Sequence, residues 1–178
     1  MPEAIDISRI ILQPATVTFL EMHTKPSEIL QPVAGTSFNL LPKPVSVSEY
    51  RKLYYGVGEK WYWLDRMVIP DKELYQKINA ANIEIFVLYV NNETAGYIEF
   101  VLEDKFVEVQ YFGLMPAFIG KGLGKYFLQW VIEKAWSYNP DWIQLNTCTL
   151  DHPNALDVYK KAGFSPVRTE IQYRRVLI

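Results

Sequence analysis

The run Leu114-Met115-Pro116-Ala117-Phe118-Ile119-Gly120-Lys121-Gly122-Leu123-Gly124-Lys125 sets the architecture of the chain. An extended segment ends at its start and glycines alternate through its second half. From residue 122 to 138 the side chains Leu123, Phe127, Leu128, Val131, Ile132 and Ala135 recur at helical spacing. A strand that turns through glycines into a helix aims successive backbone N–H groups at one spot. The helix dipole adds positive potential there, so phosphate oxygens can bind without a dedicated cation. The dipole is worth only ~0.3 to 2 kcal/mol, so several amide hydrogen bonds would supply most of the grip. The same letters also suit a tight strand-to-helix turn with no ligand. Two other phosphate loops fail. A P-loop needs glycine where Ile119 stands and Ser or Thr where Tyr126 stands, and a dinucleotide fingerprint needs GxGxxG after a parallel strand, not GxGxG after a meander.

Working upstream, residues 83–90, 95–102 and 106–114 read as strands of an antiparallel meander, joined by turns through Asn91-Asn92-Glu93 and near Asp104. A helix from Pro70-Asp71 carries Leu74 and Ile78, and an earlier one, capped by Ser46 or Ser48, carries Tyr50, Leu53 and Tyr54 and ends near Gly56 and Gly58. Between them Trp61, Tyr62 and Trp63 crowd together with Asp65 and Arg66 on a bent connector. Residues 25–45 hold Pro26, Pro32, Pro42 and Pro44 and read as an irregular arm, preceded by a strand over 15–21. Downstream, 142–150 is a strand, 153–162 a short helix stopped by Gly163, and 164–176 one or two closing strands. The order β-α-α-β-β-β-α-β-α-β predicts an α/β (α+β) fold with a mixed, mostly antiparallel central sheet flanked by helices. No internal repeat is present.

A chain of 178 residues fits one domain, and 49% hydrophobic with 21% charged residues is the composition of a folded protein. The expected organisation is an arm with acceptor-side helices over 1–82, a ligand-binding core over 83–164 and a closing strand over 165–178. A formal net charge of -2 gives no basic field for nucleic acid or an anionic membrane, and the apolar runs are strand length, far short of the ~20 residues that span a bilayer. One cysteine, Cys148, cannot form an internal disulfide, and Met-Pro-Glu-Ala lacks the start of a secretion signal, so a cytoplasmic protein is expected. Neither His23 nor His152 belongs to a metal-ligand set, so no metal is expected.

The glycine turn has a companion in the run Leu150-Asp151-His152-Pro153-Asn154-Ala155-Leu156-Asp157-Val158-Tyr159-Lys160-Lys161-Ala162-Gly163-Phe164. Together the two resemble the GNAT acetyltransferase superfamily, whose cofactor loop looks like (Q/R)xxGxG and whose later helix looks like NxxAxxxYxxxGF. The second pattern is read as Asn154, Asp157 in place of alanine, Tyr159 five positions after Asn154, and the Gly163-Phe164 pair. The resemblance covers residues 83–164 and departs at Ile119, where the family has Gln or Arg.

The resemblance implies an N-acetyltransferase that moves an acetyl group from acetyl-CoA to a primary amine of a small molecule or peptide, by direct attack in a ternary complex. It implies that Ile119, Gly120, Lys121, Gly122, Leu123, Gly124 and Lys125 hold the CoA diphosphate. It further implies that the backbone of Phe112, Gly113 and Leu114 pairs with the pantetheine arm at a splay in the sheet, with Gly113 easing a bulge. Asn154 would hydrogen-bond near the pantetheine, or cap its helix; Tyr159 would protonate the departing thiolate, or serve as a core aromatic. Lys121, Lys125, Lys160 and Lys161 are in reach of CoA phosphates or form a solvated face.

An amine with a pKa near ~10.4 is almost wholly protonated at neutral pH, so a proton acceptor is useful. Glu108 shares the strand parity of Phe112 and Leu114 and is one candidate, Glu99 on the neighbouring strand is another, and water is a third; for Glu108 the alternative is an exposed sheet-edge carboxylate. In the family the early helices shape the acceptor pocket, which makes Tyr55, Trp61, Trp63 and Arg66 candidate acceptor contacts, with core packing as the alternative. A CoA-binding module with little catalysis, or an interaction protein that kept only the fold, are the competing functions. A monomer or homodimer is expected.

Overall fold

In the computed structural model, which describes residues 5–28 and 30–178, the segments form β1 (Ile10–Met22), β2 (Thr36–Leu40), α1 (Val47–Gly58), α2 (Asp65–Val68), α3 (Asp71–Ile78) and β3 (Ile83–Val90). There follow β4 (Glu93–Leu102), β5 (Phe106–Leu114), α4 (Leu123–Trp136), β6 (Trp142–Cys148), α5 (Ala155–Lys161) and β7 (Ser165–Leu177). The strands make one sheet in the order β2-β3-β4-β5-β6-β1-β7. Every neighbouring pair is antiparallel except β5 with β6, and that pair requires the crossover that α4 provides. The mixed, mostly antiparallel sheet flanked by helices agrees with the predicted class.

Period-2 alternation along the strands sorts side chains onto two faces. On β4, Ile98 and Phe100 join Phe127, Leu128, Val131 and Ile132 of α4 in one core, which Leu156 and Tyr159 of α5 also cover. Tyr97 from the same strand joins Tyr50, Leu53 and Tyr54 of α1 and Leu74 and Ile78 of α3 in the other. The Ser46 hydroxyl caps α1 by accepting from the Glu49 N–H at 3.1 Å, and donates to Glu49 Oε2 at 3.0 Å. Asn91 and Asn92 both adopt positive φ, 49° and 67°, as the tight β3–β4 hairpin requires.

Two readings change. The arm over 25–45 contains β2, because residues 36–40 lie between the prolines and are free to pair with β3, with Phe38 stacked on Trp130 at 3.9 Å. The bulge in β5 falls at Gln110, not Gly113: Glu99 pairs with Tyr111 while Phe100 pairs with Val109, so one residue is looped out. Gly113 is glycine for another reason. A Cβ there would lie 2.5 Å from Val57 Cγ1 of α1, so the helix rests directly on the strand.

Gly113→Ala is therefore expected to destabilise the fold by ~1–3 kcal/mol, an overpacking penalty, and to lower the melting temperature by several degrees. Adding Val57→Ala should restore part of the loss. Unchanged melting of Gly113→Ala would show that α1 does not press on β5.

Candidate active site

The parallel β5–β6 ladder pairs Phe106 with Trp142 and ends at Val109 with Leu145, although β5 runs on to Leu114 and β6 to Cys148. Beyond that point the strands part. The gap opens a cleft of about 720 Å³ whose walls include Gln110, Phe112 and Leu114 on one side and Asn146 and Thr147 on the other. The splay expected beside Phe112, Gly113 and Leu114 is thus present, and all three line it.

The glycine turn closes one end of the cleft, which Ile119, Gly120, Gly124 and Lys125 line. Gly120 and Gly122 have φ of 79° and 77°, the left-handed conformation that favours glycine. Gly124 lies in the first turn of α4 and needs no special backbone, yet a Cβ on it would meet no protein atom within 4 Å. The missing side chain keeps space open on the cleft side. α4 starts without a side-chain cap, and among the described residues the N–H groups of Gly120, Lys121 and Gly122 donate to no backbone acceptor. These are unspent donors at a helix N-terminus, as an anion site needs. Lys125 donates to Glu28 at 3.0 Å, Lys121 lies over the Phe118 ring, Lys161 lines the cleft, and Lys160 is exposed outside its lining. Leu123 is buried against the core.

Tyr159 lines the cleft from α5, its ring packed against Phe164. Burial, and then the negative charge of Asp151, push its phenol well above the ordinary tyrosine value, which keeps the hydroxyl protonated. Asn154 is exposed at the start of α5, lines the cleft and makes no side-chain cap. His152 lines the cleft as well, and NxxAxxxY counted backward from Tyr159 puts His152 at the asparagine position and Ala155 at the alanine position. His152 packs edge-on against Trp61, with ring centroids 5.3 Å apart, and its Nδ1 accepts from the Asn154 N–H.

The Gln110 bulge reverses the strand parity of Glu108 relative to Phe112 and Leu114. Val107 and Val109 face the same core as Phe112, so Glu108 points to the opposite face. It lies outside the cleft lining, accepting from Gln144 at 3.4 Å, and burial raises its pKa. Glu99 is fully buried and also absent from the lining; it accepts from Tyr50 Oη at 2.5 Å and Arg66 at 2.9 Å. Burial pushes the Glu99 carboxyl up, against the pull of Arg66 and the Tyr50 hydroxyl.

Of the aromatic candidates, Trp61 and Trp63 line the cleft and Tyr55 does not; its hydroxyl donates to Glu59 at 2.6 Å. Arg66 also stands outside the lining, its side chain only 12% exposed and locked onto Glu99 beneath the Tyr50 and Tyr111 rings. Trp63 packs against Tyr54 and Tyr111 and donates from Nε1 to Asp151. Asp151 is the cleft residue that sequence reading missed; the only signal is its place just after β6, beside the tyrosine helix. Cys148 is half-buried, and its backbone N–H serves Asp151. Among the described residues no cluster of three or more His, Cys, Asp or Glu could hold a metal ion, and no helix is long and apolar enough to cross a membrane.

Residues 47–164 match the family model described as the acetyltransferase (GNAT) family. No curated protein matches the chain. Among solved structures it is similar to a functionally unknown conserved protein from Staphylococcus epidermidis, at 19% identity and TM-score 0.64 over 94% of this chain and 64% of that one. It is similar to a GCN5-related N-acetyltransferase from Sphaerobacter thermophilus, at 10% identity and TM-score 0.67 over 93% of this chain and 53% of that one. A third is an aminoglycoside acetyltransferase from an uncultured soil metagenomic sample, in complex with sisomicin, at 16% identity and TM-score 0.56 over 71% of this chain and 86% of that one. The chain thus spans 64% and 53% of the length of the first two.

Because Glu99 has no water to fall back on, Arg66→Met is expected to cost ~3–5 kcal/mol, the penalty for stranding one member of a buried ion pair. Arg66→Met with Glu99→Gln should be milder than Arg66→Met alone. Urea denaturation of both proteins checks this, and equal midpoints would show that the two groups are not coupled.

Proposed function

The chain belongs to the acetyltransferase (GNAT) family, and from that premise we propose that it transfers an acetyl group from acetyl-CoA to a primary amine of a small molecule or peptide by direct attack in a ternary complex. One observation carries this reading. The parted ends of β5 and β6, the open glycine turn and Tyr159 all border a single cleft.

The bound cosubstrate would supply an activated acyl thioester. The amides of Gly120 to Gly124 bind its diphosphate, and Ile119 leaves that task to the backbone by offering no polar side chain. The cleft edge of β5 around Phe112 to Leu114 pairs with an extended arm as an added strand would. The Tyr159 hydroxyl, held protonated by burial, gives its proton to the departing thiolate and is restored from solvent. Trp61, Trp63 and Tyr111 exclude water from the acceptor end. Glu108 and Glu99 both stand outside the cleft lining, which favours water or a cleft-lining carboxylate over either as the proton acceptor.

Acetyl-CoA at ~100 times its dissociation constant should stabilise the protein by about 2.7 kcal/mol, seen as a rise in melting temperature. Gly124→Ala separates ligand space from folding. Without ligand it should melt no lower than wild type, since alanine suits a helix and meets open space. It should bind acetyl-CoA at least about tenfold more weakly, a cost of ~1.4 kcal/mol. Equal affinity would remove the glycine turn from the site.

Tyr159→Phe should release free CoA from acetyl-CoA and an amine panel ~10²- to 10⁴-fold more slowly than wild type, with cofactor affinity retained. Equal rates would remove Tyr159 from proton transfer.

A further inference from the structure

Three carboxylates line the cleft, and two of them are already paired with lysines: Glu28 with Lys125 at 3.0 Å and Glu133 with Lys25 at 2.9 Å. The third, Asp151, has no lysine, arginine or histidine within ion-pair distance among the described residues. Its carboxylate is nevertheless fixed. Oδ2 accepts from Thr147 Oγ1 and from the Cys148 N–H, each at 2.8 Å, and Oδ1 accepts from Trp63 Nε1 at 3.4 Å. A carboxylate offers about four acceptor positions, so Oδ1 keeps room for a further donor. Trp63, which makes the bond to Oδ1, packs against Tyr111, and both line the cleft together with Trp61 and Tyr159. A fixed carboxylate beside aromatic faces is the chemistry that recognises an ammonium group.

Among the described residues no arginine lines the cleft, whose lysines are Lys125, paired with Glu28, and Lys161 on α5. Arg66, the arginine of the aromatic connector, is locked onto Glu99 and absent from the cleft lining. An acceptor bearing a carboxylate next to its amine would bring that negative charge up to Asp151 with no arginine to receive it.

We propose that Asp151 is the specificity-determining residue for the acceptor, binding its protonated amine against Trp61 and Trp63 and so selecting cationic amines without an adjacent carboxylate. The proposal rests on the acetyl-transfer reading and deepens it. Asp151 and Tyr159 line the same cleft, so an amine held by Asp151 shares it with the group that serves the leaving thiolate.

The test uses the full chain saturated with CoA and isothermal titration of two matched pairs, phenethylamine against phenylalanine and n-pentylamine against norleucine. The amine of each pair should bind at least tenfold more tightly than its amino acid. Asp151→Asn, in which CoA binding is titrated separately, should bind phenethylamine about 10- to 100-fold more weakly, the range of a hydrogen bond to a charged group. Asp151→Glu, which keeps the charge, should keep the preference for phenethylamine over phenylalanine. The wild-type comparison decides the matter even if a variant fails to fold. CoA binding with no preference for either amine, or full phenethylamine affinity in a CoA-binding Asp151→Asn protein, overturns the role of Asp151 and leaves acetyl transfer standing. Failure of wild type to bind CoA overturns both.

Discussion

The structure depends on the point at which the β5–β6 ladder stops. Up to Val109 and Leu145 the two parallel strands complete each other's hydrogen bonds; beyond it each is held only by its outer neighbour. β5 stays with β4 as far as Gly96 and Leu114, and the Met115 N–H donates to the Ala95 carbonyl at 2.8 Å. β6 stays with β1 as far as Val17 and Cys148. Each cleft wall therefore keeps one hydrogen-bonded neighbour although the ladder between them is missing. Backbone groups facing the gap must be satisfied by water or by a ligand, and a narrow, partly apolar gap favours the ligand. The Gln110 bulge turns the strand at the parting point, and Val57 seated on Gly113 holds it there.

The connector between α1 and α3 spans this opening and is fastened at separate places. Arg66 reaches down to Glu99 on β4, Trp63 donates to Asp151 beyond β6, Asp65 pairs with Arg175 on β7, and Trp61 packs on His152. A buried ion pair such as Arg66–Glu99 contributes little net stability, because desolvation offsets most of its attraction. Its effect is to fix where the connector crosses the sheet, and with it the position of the two tryptophans. The end of the cleft lined by Trp61 and Trp63 is thereby positioned by elements outside it.

Local chemistry made much of this legible in the sequence. The glycine alternation after β5, the apolar spacing of α4, the Ser46 cap and the Asn91-Asn92 turn each have a mechanism within a few residues, and each appears as read. What escaped depends on distant partners. β2 exists because Phe38 finds Trp130 and the β3 edge, which no feature of a proline-flanked pentapeptide announces. The face of Glu108 depends on one looped-out residue, and a single bulge reverses every parity argument across it. Gly113 is glycine because of Val57, a residue 56 positions away in the chain. Asp151 carries no signal of its own, because its bonds to Thr147 and Trp63 are a property of the folded cleft.

The central claim is that unspent amides at the start of α4 receive the diphosphate of CoA. Residue-resolved amide hydrogen exchange with and without CoA tests it most directly. The account expects Gly120 to Gly124 to slow on ligand addition, together with amides on the cleft edge of β5 between Gln110 and Leu114. Exchange unchanged at the glycine turn while CoA protects a different surface would contradict it.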